Sequence, residues 1–239
     1  TEELQQWKNR KHAKKRDLLS LIGKLVFISR VVRCGRMFVR RLIEVSKKVR
    51  HLHHTVTLNR EFQADITWWL TFLPSWNGIS MMYEEEWTSS VDLQLWTDAS
   101  NLAVAGVYQD QWFVELVSDT SLSINYRELY AVVLAAATWS QRWAGKRVLF
   151  YCDNLAVCHV LCNKTSKSPA LMHLLRRLFY IAASVPFDFS AKWIDTKSND
   201  QADALSRLDF ARFWKLAPTA NTVMSKPRSL DSFVTVDDK

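Results

Sequence analysis

The sequence has no long apolar run, no internal repeat and no low-complexity tract. These absences argue against a membrane-spanning protein, a repeat protein and a disordered chain. A membrane-spanning helix needs about 20 apolar residues, and no stretch reaches that length. The N-terminal residues lack the pattern of a signal peptide. Cysteine is scarce, with four in 239 residues, and none has metal-ligand spacing. We therefore expect a globular protein with no membrane partner, reduced thiols and an intracellular location, in the cytoplasm or the nucleus or both.

Charge is distributed unevenly between two parts of the chain. Residues 1–60 hold 16 of the 32 Lys and Arg and only four acids, a formal charge of +12, whereas the remainder carries −4. A basic module joined to a mildly acidic one suggests that the first part grips a polyanion. The competing interpretation is a solvated basic face with no partner, which is common for charge runs.

The first third of the chain carries three helical patterns of apolar residues. They span about 18–32, 38–49 and 59–73, and Asn59 is a good N-cap for the third. The run His51-Leu52-His53-His54 resembles a zinc motif, but no Cys or carboxylate accompanies it, so a basic connector is the better interpretation. We predict a small all-α three-helix domain over 1–74, followed by a linker over 75–91.

From residue 92 onward, short strand patterns alternate with helices, which is typical of an α/β fold. Three closely spaced strands predict an antiparallel meander, and two later strands are separated by helices. The predicted strands are 92–98, 102–109, 112–118, 146–152 and 186–194, and the predicted helices are 125–143, 154–162, a helix opening at Ser168-Pro169, one from about 199 and one over 210–216. We place this domain at 92–216 and expect 217–239 to be a mobile tail.

Topology brings four acidic residues of this domain to one edge of the predicted sheet. If the fourth and fifth strands run parallel to the first, Asp98 and Asp153 lie at the carboxyl ends of neighbouring strands. Glu128 and Asp203 begin helices that leave the same edge. Either acid alone has a simpler explanation, because acids favour helix N-termini electrostatically. Together, four carboxylates require cations, and two Mg²⁺ ions, with Mn²⁺ as a possible substitute, suit their oxygen ligands.

Four motifs in this order resemble a known family. They are Thr97-Asp98-Ala99-Ser100, Asn125-Tyr126-Arg127-Glu128-Leu129, Tyr151-Cys152-Asp153-Asn154 and Asn199-Asp200-Gln201-Ala202-Asp203-Ala204-Leu205-Ser206-Arg207. Over 92–216 the chain resembles the ribonuclease H domain of retroelement reverse transcriptases, of the gypsy class and, more closely, of DIRS-like retrotransposons. The resemblance implies a five-stranded mixed sheet of order 3-2-1-4-5 with flanking helices.

The resemblance also implies roles for individual residues. Asp98, Glu128, Asp153 and Asp203 would be the catalytic metal ligands, and Asn125 would contact the minor groove of an RNA·DNA hybrid. The chain departs from the family in two places. No histidine precedes the last Asp in Trp193–Ser198, where Lys197 is a weak substitute. The basic handle of stand-alone enzymes is reduced to Lys164 and Lys167.

The helical region 1–74 resembles, more loosely, the thumb and connection region of a reverse transcriptase. This implies an upstream polymerase domain, and because the chain begins at Thr1 we expect it to be part of a longer polypeptide. Since the basic handle is missing, we expect basic residues of this region to supply the grip on the hybrid. The candidates are Arg36, Arg40, Arg41, Lys47 and Lys48.

These observations predict a metal-dependent endonuclease that hydrolyses the RNA strand of RNA·DNA hybrids by in-line attack of water. The preference for RNA comes from the resemblance alone. The alternative is a catalytically silent nucleic-acid-binding module derived from a retroelement. A polymerase is not expected within 1–239, because the sequence contains no paired-aspartate Tyr-x-Asp-Asp motif.

Overall fold

A computed structural model describes residues 2–75 and 86–230, and these belong to two compact units, one on each side of the gap. Both units contain helices and strands, so the prediction of a mixed α/β protein is confirmed. Within the described residues, no helix combines the length and the apolar character that a bilayer-spanning segment needs.

The first unit packs its helices around an aromatic core. Its elements are α1 (Glu2–Trp7), β1 (His12–Lys14), α2 (Lys15–Ile28), α3 (Met37–Lys47), β2 (Thr55–Thr57) and α4 (Arg60–Phe72). Helix α4 is capped by Asn59, whose side chain accepts a hydrogen bond of 3.0 Å from the Phe62 amide. Trp69 is fully buried, and the Trp68 ring stacks on Phe38 with the centroids 3.8 Å apart. Burial of the α2, α3 and α4 stripes explains the three helical patterns.

The prediction that this unit is all-α is wrong in one respect, since β1 and β2 form a two-stranded antiparallel sheet. Ala13 pairs with Val56, and these two residues are the buried members of their strands. Strands of three residues are too short for an alternating pattern to be visible in the sequence.

The second unit contains six helices and six strands in its described part. The strands are β3 (Thr88–Ser89), β4 (Leu95–Ala99), β5 (Ala103–Tyr108), β6 (Gln111–Leu116), β7 (Arg147–Cys152) and β8 (Asp188–Trp193). The helices are α5 (Ser90–Leu93), α6 (Ile124–Trp139), α7 (Leu155–Asn163), α8 (Pro169–Ser184), α9 (Asp200–Ser206) and α10 (Phe210–Leu216). Strands β4, β5 and β6 form the predicted antiparallel meander, and β7 and β8 pair in parallel.

The strands divide between two three-stranded sheets, of order β4-β5-β6 and β3-β7-β8. Strand β4 lies beside β7, but among the described residues no ladder of hydrogen bonds joins them. The preceding segment occupies that edge instead: Thr88 pairs with Val148, and the Ser90 hydroxyl donates to Leu149 O at 2.8 Å. Gln94, with φ of 53°, then turns the chain into β4.

The predicted linker 75–91 therefore supplies a strand and the start of a helix at its end, while residues 76–85 lie outside the described part of the chain. Ser89 caps α5 by accepting a hydrogen bond from the Asp92 amide. A two-residue strand gives no periodic signal, which explains why the sequence did not predict it.

Helices α6 and α9 cover opposite faces of the meander. Ala105 and Val107 of β5 share a core cluster with Leu205 of α9 and Phe213 of α10. Gly106, between them, faces Phe113 and Trp139 on the α6 side, where an added Cβ would overlap the Phe113 ring. Because side chains alternate along a strand, β5 is covered on both sides. Helices α6 and α9 also contact β4, the neighbouring strand that carries Asp98.

The expectation of a mobile tail does not describe residues 217–230. The Asn221 amide donates to Asp110 O at 2.7 Å, Trp112 Nε1 donates to Asn221 O at 2.7 Å, and the Ser225 amide donates to Trp112 O at 2.8 Å. Leu230 is buried. These bonds attach the tail to β6, the edge strand of its sheet, and to the turn before it. Such an attachment requires no periodic pattern in the tail, so the sequence did not predict it. Residues 231–239 lie outside the described part.

Candidate metal centre

Asp98 lies one residue before the end of β4 and is buried. Asn199 Nδ2 donates to Asp98 Oδ1 at 3.3 Å, and the Ser206 hydroxyl donates to Asp98 Oδ2. Burial raises the pKa of Asp98 to about 7; the negative charges of Asp153 and Asp203 act in the same direction, against the Ser206 hydrogen bond. The side chain is thus fixed in position, and its surroundings destabilise the ionised form of the carboxyl group.

Glu128 lies in the second turn of α6, which Ser123 caps by accepting a hydrogen bond from the Tyr126 amide at 3.2 Å. The carboxyl group is buried and interacts electrostatically with Asp98 and Asp153. Burial raises the pKa of Glu128 to about 9, with contributions from both aspartates, and a hydrogen bond with the Ala99 backbone only partly offsets this. In the absence of a cation, Glu128 therefore keeps its proton at neutral pH.

Asp153 follows β7 directly and is partly buried, so one side of the cluster is open to solvent. Thr196 Oγ1 donates to Asp153 Oδ2 at 3.0 Å, and Trp193 Nε1 donates to the Asp153 carbonyl at 3.0 Å. Ligand atoms of Glu128, Cys152 and Asp153 all lie within 4.8 Å of one another, which is close enough to share one metal ion.

Cys152 is a member of this group that the sequence did not predict. It is the last residue of β7 and is buried. Its interaction with the Cys158 side chain and its burial raise the pKa of the Cys152 thiol, so the sulfur is neutral at physiological pH. A neutral, soft sulfur is a poor ligand for hard divalent cations, and the carboxylates are the stronger candidates.

Asp203 lies in α9 and is buried, but its surroundings differ from those of the other three acids. Arg207 Nε donates to its Oδ1 at 2.6 Å, and Arg212 Nη1 donates to its Oδ2 at 2.7 Å. Burial alone would raise the pKa of Asp203, but the two arginine hydrogen bonds outweigh it, and the net pKa lies below the ordinary value. The negative charge of Asp203 still acts on Asp98 and raises its pKa, although the two arginines offset much of it.

The structure therefore brings Asp98, Glu128 and Asp153 together, with Asp203 at the margin of the cluster. Asp98 and Asp153 stand at the ends of β4 and β7, Glu128 stands in the second turn of α6, and Asp203 stands in the first turn of α9. Burial and mutual repulsion of these acids outweigh the opposing charges of Arg127 and Arg207, which is the electrostatic setting of a cation site. By the spacing of their ligand atoms, Glu128, Cys152 and Asp153 could hold a metal ion.

Several residues around the acids were not predicted from the sequence. The Ser206 hydroxyl, which bonds to Asp98, also lies 3.1 Å from the backbone carbonyl oxygen of Asp203. The backbone carbonyl of Ser206 accepts a hydrogen bond of 2.6 Å from the Ser100 hydroxyl. Arg127 Nη1 donates to Ser100 O at 2.9 Å. The available signal was spacing, since Ser206 and Arg207 lie three and four residues after Asp203 on one helix face. The hydrogen bond between Ser100 and Ser206 is long-range and has no such signal.

The remaining predicted site residues are distributed between the two units. Asn125 lies near the cluster, because its Oδ1 accepts from Asn154 Nδ2 at 2.8 Å. Lys164, one of the two lysines where stand-alone enzymes have a basic handle, forms an ion pair of 2.6 Å with Asp188. This contact gives Lys164 a structural role. In the first unit, Arg40 pairs with Glu44 at 3.2 Å, whereas Arg36, Lys47 and Lys48 are exposed on α3 and its ends.

Arg41 differs from its basic neighbours. Its Nη1 lies 3.8 Å from Oδ1 of Asp65, a carboxylate with no exposed side-chain surface. A fully buried charge needs its partner, so Arg41 is a structural counterion before it can be a ligand for nucleic acid.

Comparison of the chain with known protein families, with curated proteins and with solved structures finds no match.

The raised pKa of Glu128 predicts how stability depends on pH when EDTA removes all metal. Unfolded Glu, with a pKa of about 4.3, is ionised above neutrality, while folded Glu128 still holds its proton and loses it only as the pH approaches about 9. The free energy of unfolding should therefore fall by roughly 2 kcal/mol between about pH 7 and about pH 9. Glu128→Gln should remove this fall, as measured by urea denaturation, and exposed Glu86→Gln is the control.

Equal pH dependence of the parent and the Glu128→Gln variant in EDTA would contradict the raised pKa.

Proposed function

We propose that this chain is a metal-dependent endonuclease that hydrolyses the RNA strand of RNA·DNA hybrids, as part of a retroelement reverse transcriptase with an upstream polymerase domain. The observation that carries the proposal is the convergence of Asp98, Glu128 and Asp153, with Asp203 beside them, at the edge where β4 and β7 end. The four sequence motifs that resemble ribonucleases H are the segments that supply these acids.

The strand arrangement is compatible with a ribonuclease H-like sheet of order 3-2-1-4-5. In that order, β6, β5 and β4 would be followed by β7 and β8, and β4 does lie beside β7. The antiparallel meander and the parallel pair have the directions that this order requires. The insertion of β3 at the β7 edge is the feature that the proposal must accommodate, as a local departure at the point where the two ladders meet.

The donor set fits divalent cations with oxygen ligands. The carboxylates would hold two Mg²⁺ ions, or Mn²⁺, and the neutral Cys152 thiol would not contribute. When bound, two such ions supply activation of water for attack on the phosphodiester and stabilisation of the leaving oxygen. A cation would also replace the proton that burial and repulsion keep on Glu128, so binding should release protons.

The chain's own residues would position these ligands. Ser206 and Asn199 fix the two oxygens of Asp98, and Thr196 fixes one oxygen of Asp153. Arg212 bridges Asp203 and Asp200, at 2.7 Å from each, and so joins the first turn of α9 to α10. Asp153 is the most accessible of the clustered acids, which makes it the natural contact between the metal centre and a phosphodiester approaching from solvent.

Hybrid binding would use sequence-independent contacts. Asn125, whose side chain accepts a hydrogen bond from Asn154 next to Asp153, would meet a minor groove, where proteins contact hydroxyls and base edges of A-like helices. The exposed basic residues of the first unit, Arg36, Lys47 and Lys48, would bind phosphates. Arg40 would contribute less because Glu44 partly neutralises it, and Arg41 is committed to Asp65.

One observation favours the alternative of a catalytically silent nucleic-acid-binding module. Both oxygens of Asp203 accept hydrogen bonds from guanidinium groups, which leaves this acid poorly prepared to ligate a metal. In that case the basic surface of the first unit would retain a function and the acidic cluster would be a remnant.

Replacing Asp153 by Asn distinguishes the two functions. We expect Asp153→Asn to lower Mg²⁺-dependent cleavage of the RNA strand of a labelled hybrid by about 100-fold or more, the scale of losing one electrostatic stabiliser of the transition state. Asp110→Asn is the matched control, because Asp110 is an exposed acid on the turn between β5 and β6. Cleavage that persists in Asp153→Asn, or a parent that binds the hybrid without cutting it in Mg²⁺, would contradict the proposed enzyme.

The basic residues of α3 predict a salt effect. In a variant carrying Arg36→Gln, Lys47→Gln and Lys48→Gln, the slope of log affinity against log salt should decrease in magnitude by roughly 2 to 3, because each phosphate that is no longer neutralised removes about 0.9 from the slope. Fluorescence polarisation with a labelled hybrid across a salt series measures this.

Arg41→Gln is the contrasting variant for that series. It should lower the stability of the protein by about 3 kcal/mol, since it removes the positive charge that lies beside the buried Asp65 carboxylate. An unchanged salt slope in the triple variant would show that α3 does not touch the hybrid.

A further inference from the structure

Trp193 is an exposed aromatic residue fixed at the candidate metal centre. It is the last residue of β8 and lies opposite Cys152 in the ladder with β7. Its Nε1 donates to the Asp153 carbonyl at 3.0 Å, yet 53% of the residue is exposed. The ring is therefore anchored by its polar end to the residue that follows β7, while much of its apolar surface remains in contact with water.

This exposure sets Trp193 apart from the other tryptophans of the strands and helices around it. Trp112, Trp139 and Trp143 are buried, and Trp214, which is partly exposed, still packs its ring near Trp112 and Phe213. Among the described residues, no aromatic ring stacks on Trp193. A single exposed apolar side chain is ordinary on a protein surface. One that is hydrogen-bonded to the backbone of a clustered acid has a fixed orientation and a defined neighbour.

The residues beside Trp193 form a rim suited to nucleic acid. Lys192 precedes it and Lys197 follows in the next turn, and both are exposed. Thr196 in the same turn holds the Asp153 carboxylate. Because side chains alternate along a strand, Lys192 lies on the other face of β8, and Lys197 is the exposed cation on the turn that follows the ring. Proteins combine an aromatic face with nearby cations to bind single-stranded nucleic acid, with bases stacked on the ring and phosphates near the charges.

We infer that Trp193 is a stacking surface for an unpaired nucleotide that continues the RNA strand of the hybrid beyond the metal centre. The inference rests on the proposed function, because Asp153 defines where the strand must pass. Bases inside a duplex already have neighbours on both faces, so an indole at the rim can stack only where pairing has ended. A hybrid that continues into single-stranded RNA offers such a base, and we expect this chain to prefer it to a blunt hybrid.

The test compares two labelled hybrids, one blunt and one with RNA extended as a single strand at both ends. All proteins carry Glu128→Gln so that the substrate stays uncut, and binding is measured by fluorescence polarisation. We expect about tenfold tighter binding of the extended hybrid, the scale of one base–aromatic stack. Trp193→Ala should abolish this preference. Trp193→Phe, which keeps a ring but loses the hydrogen bond to Asp153, should retain most of it.

Trp214→Ala is the matched control and should keep the full preference, with thermal melting showing that each variant is folded. The inference is overturned if the two hybrids bind equally well, if the blunt hybrid binds better, or if Trp193→Ala keeps the preference. In each of those cases, cleavage by the chain without Glu128→Gln shows whether the proposed function still stands. If that chain neither binds nor cleaves any hybrid, the proposed function fails and the inference falls with it.

Discussion

Core packing in the second unit holds buried carboxylates together against the cost of burial and their mutual repulsion, and the candidate site depends on this. Asp98 and Glu128 have pKa values of about 7 and about 9 because burial and neighbouring acids disfavour their charged forms. A fold that only needed to be stable would place apolar side chains at such positions. Here core packing fixes the ends of β4 and β7 and the N-terminal parts of α6 and α9, and the acids are held together as a consequence.

The same constraint explains why the polar residues around the acids are arranged asymmetrically. Asp98 is held by neutral donors, Ser206 and Asn199, which orient it without supplying charge. Asp203 is held by Arg207 and Arg212, which lower its pKa and neutralise it. A cation should therefore bind first among Asp98, Glu128 and Asp153, where the pKa values of Asp98 and Glu128 stay raised despite Arg207 and Arg127. Engagement of Asp203 would require at least one arginine to yield a carboxylate oxygen.

Periodicity predicted the long elements well, because burial of one face imposes it directly. The stripe of α8, the meander of β4 to β6 and the placement of the four acids at element ends all follow from local patterns and strand direction. Elements of two or three residues, such as β1, β2 and β3, carry too few positions to show a period. Long-range polar interactions were also invisible: neither the Ser100–Ser206 bond nor the attachment of residues 217–230 beside β6 has a sequence signature.

The most direct test of the central claim is to locate a bound cation. Crystals of the protein grown with Mn²⁺ should show an anomalous difference peak within coordination distance of the Asp98, Glu128 and Asp153 carboxylates, and the peak should disappear when Glu128 is replaced by Gln. A second peak beside Asp203, with Arg207 or Arg212 displaced, would identify the two-ion arrangement. No peak at the cluster in the parent protein, or a peak that persists in the Glu128→Gln variant, would contradict this account of the site.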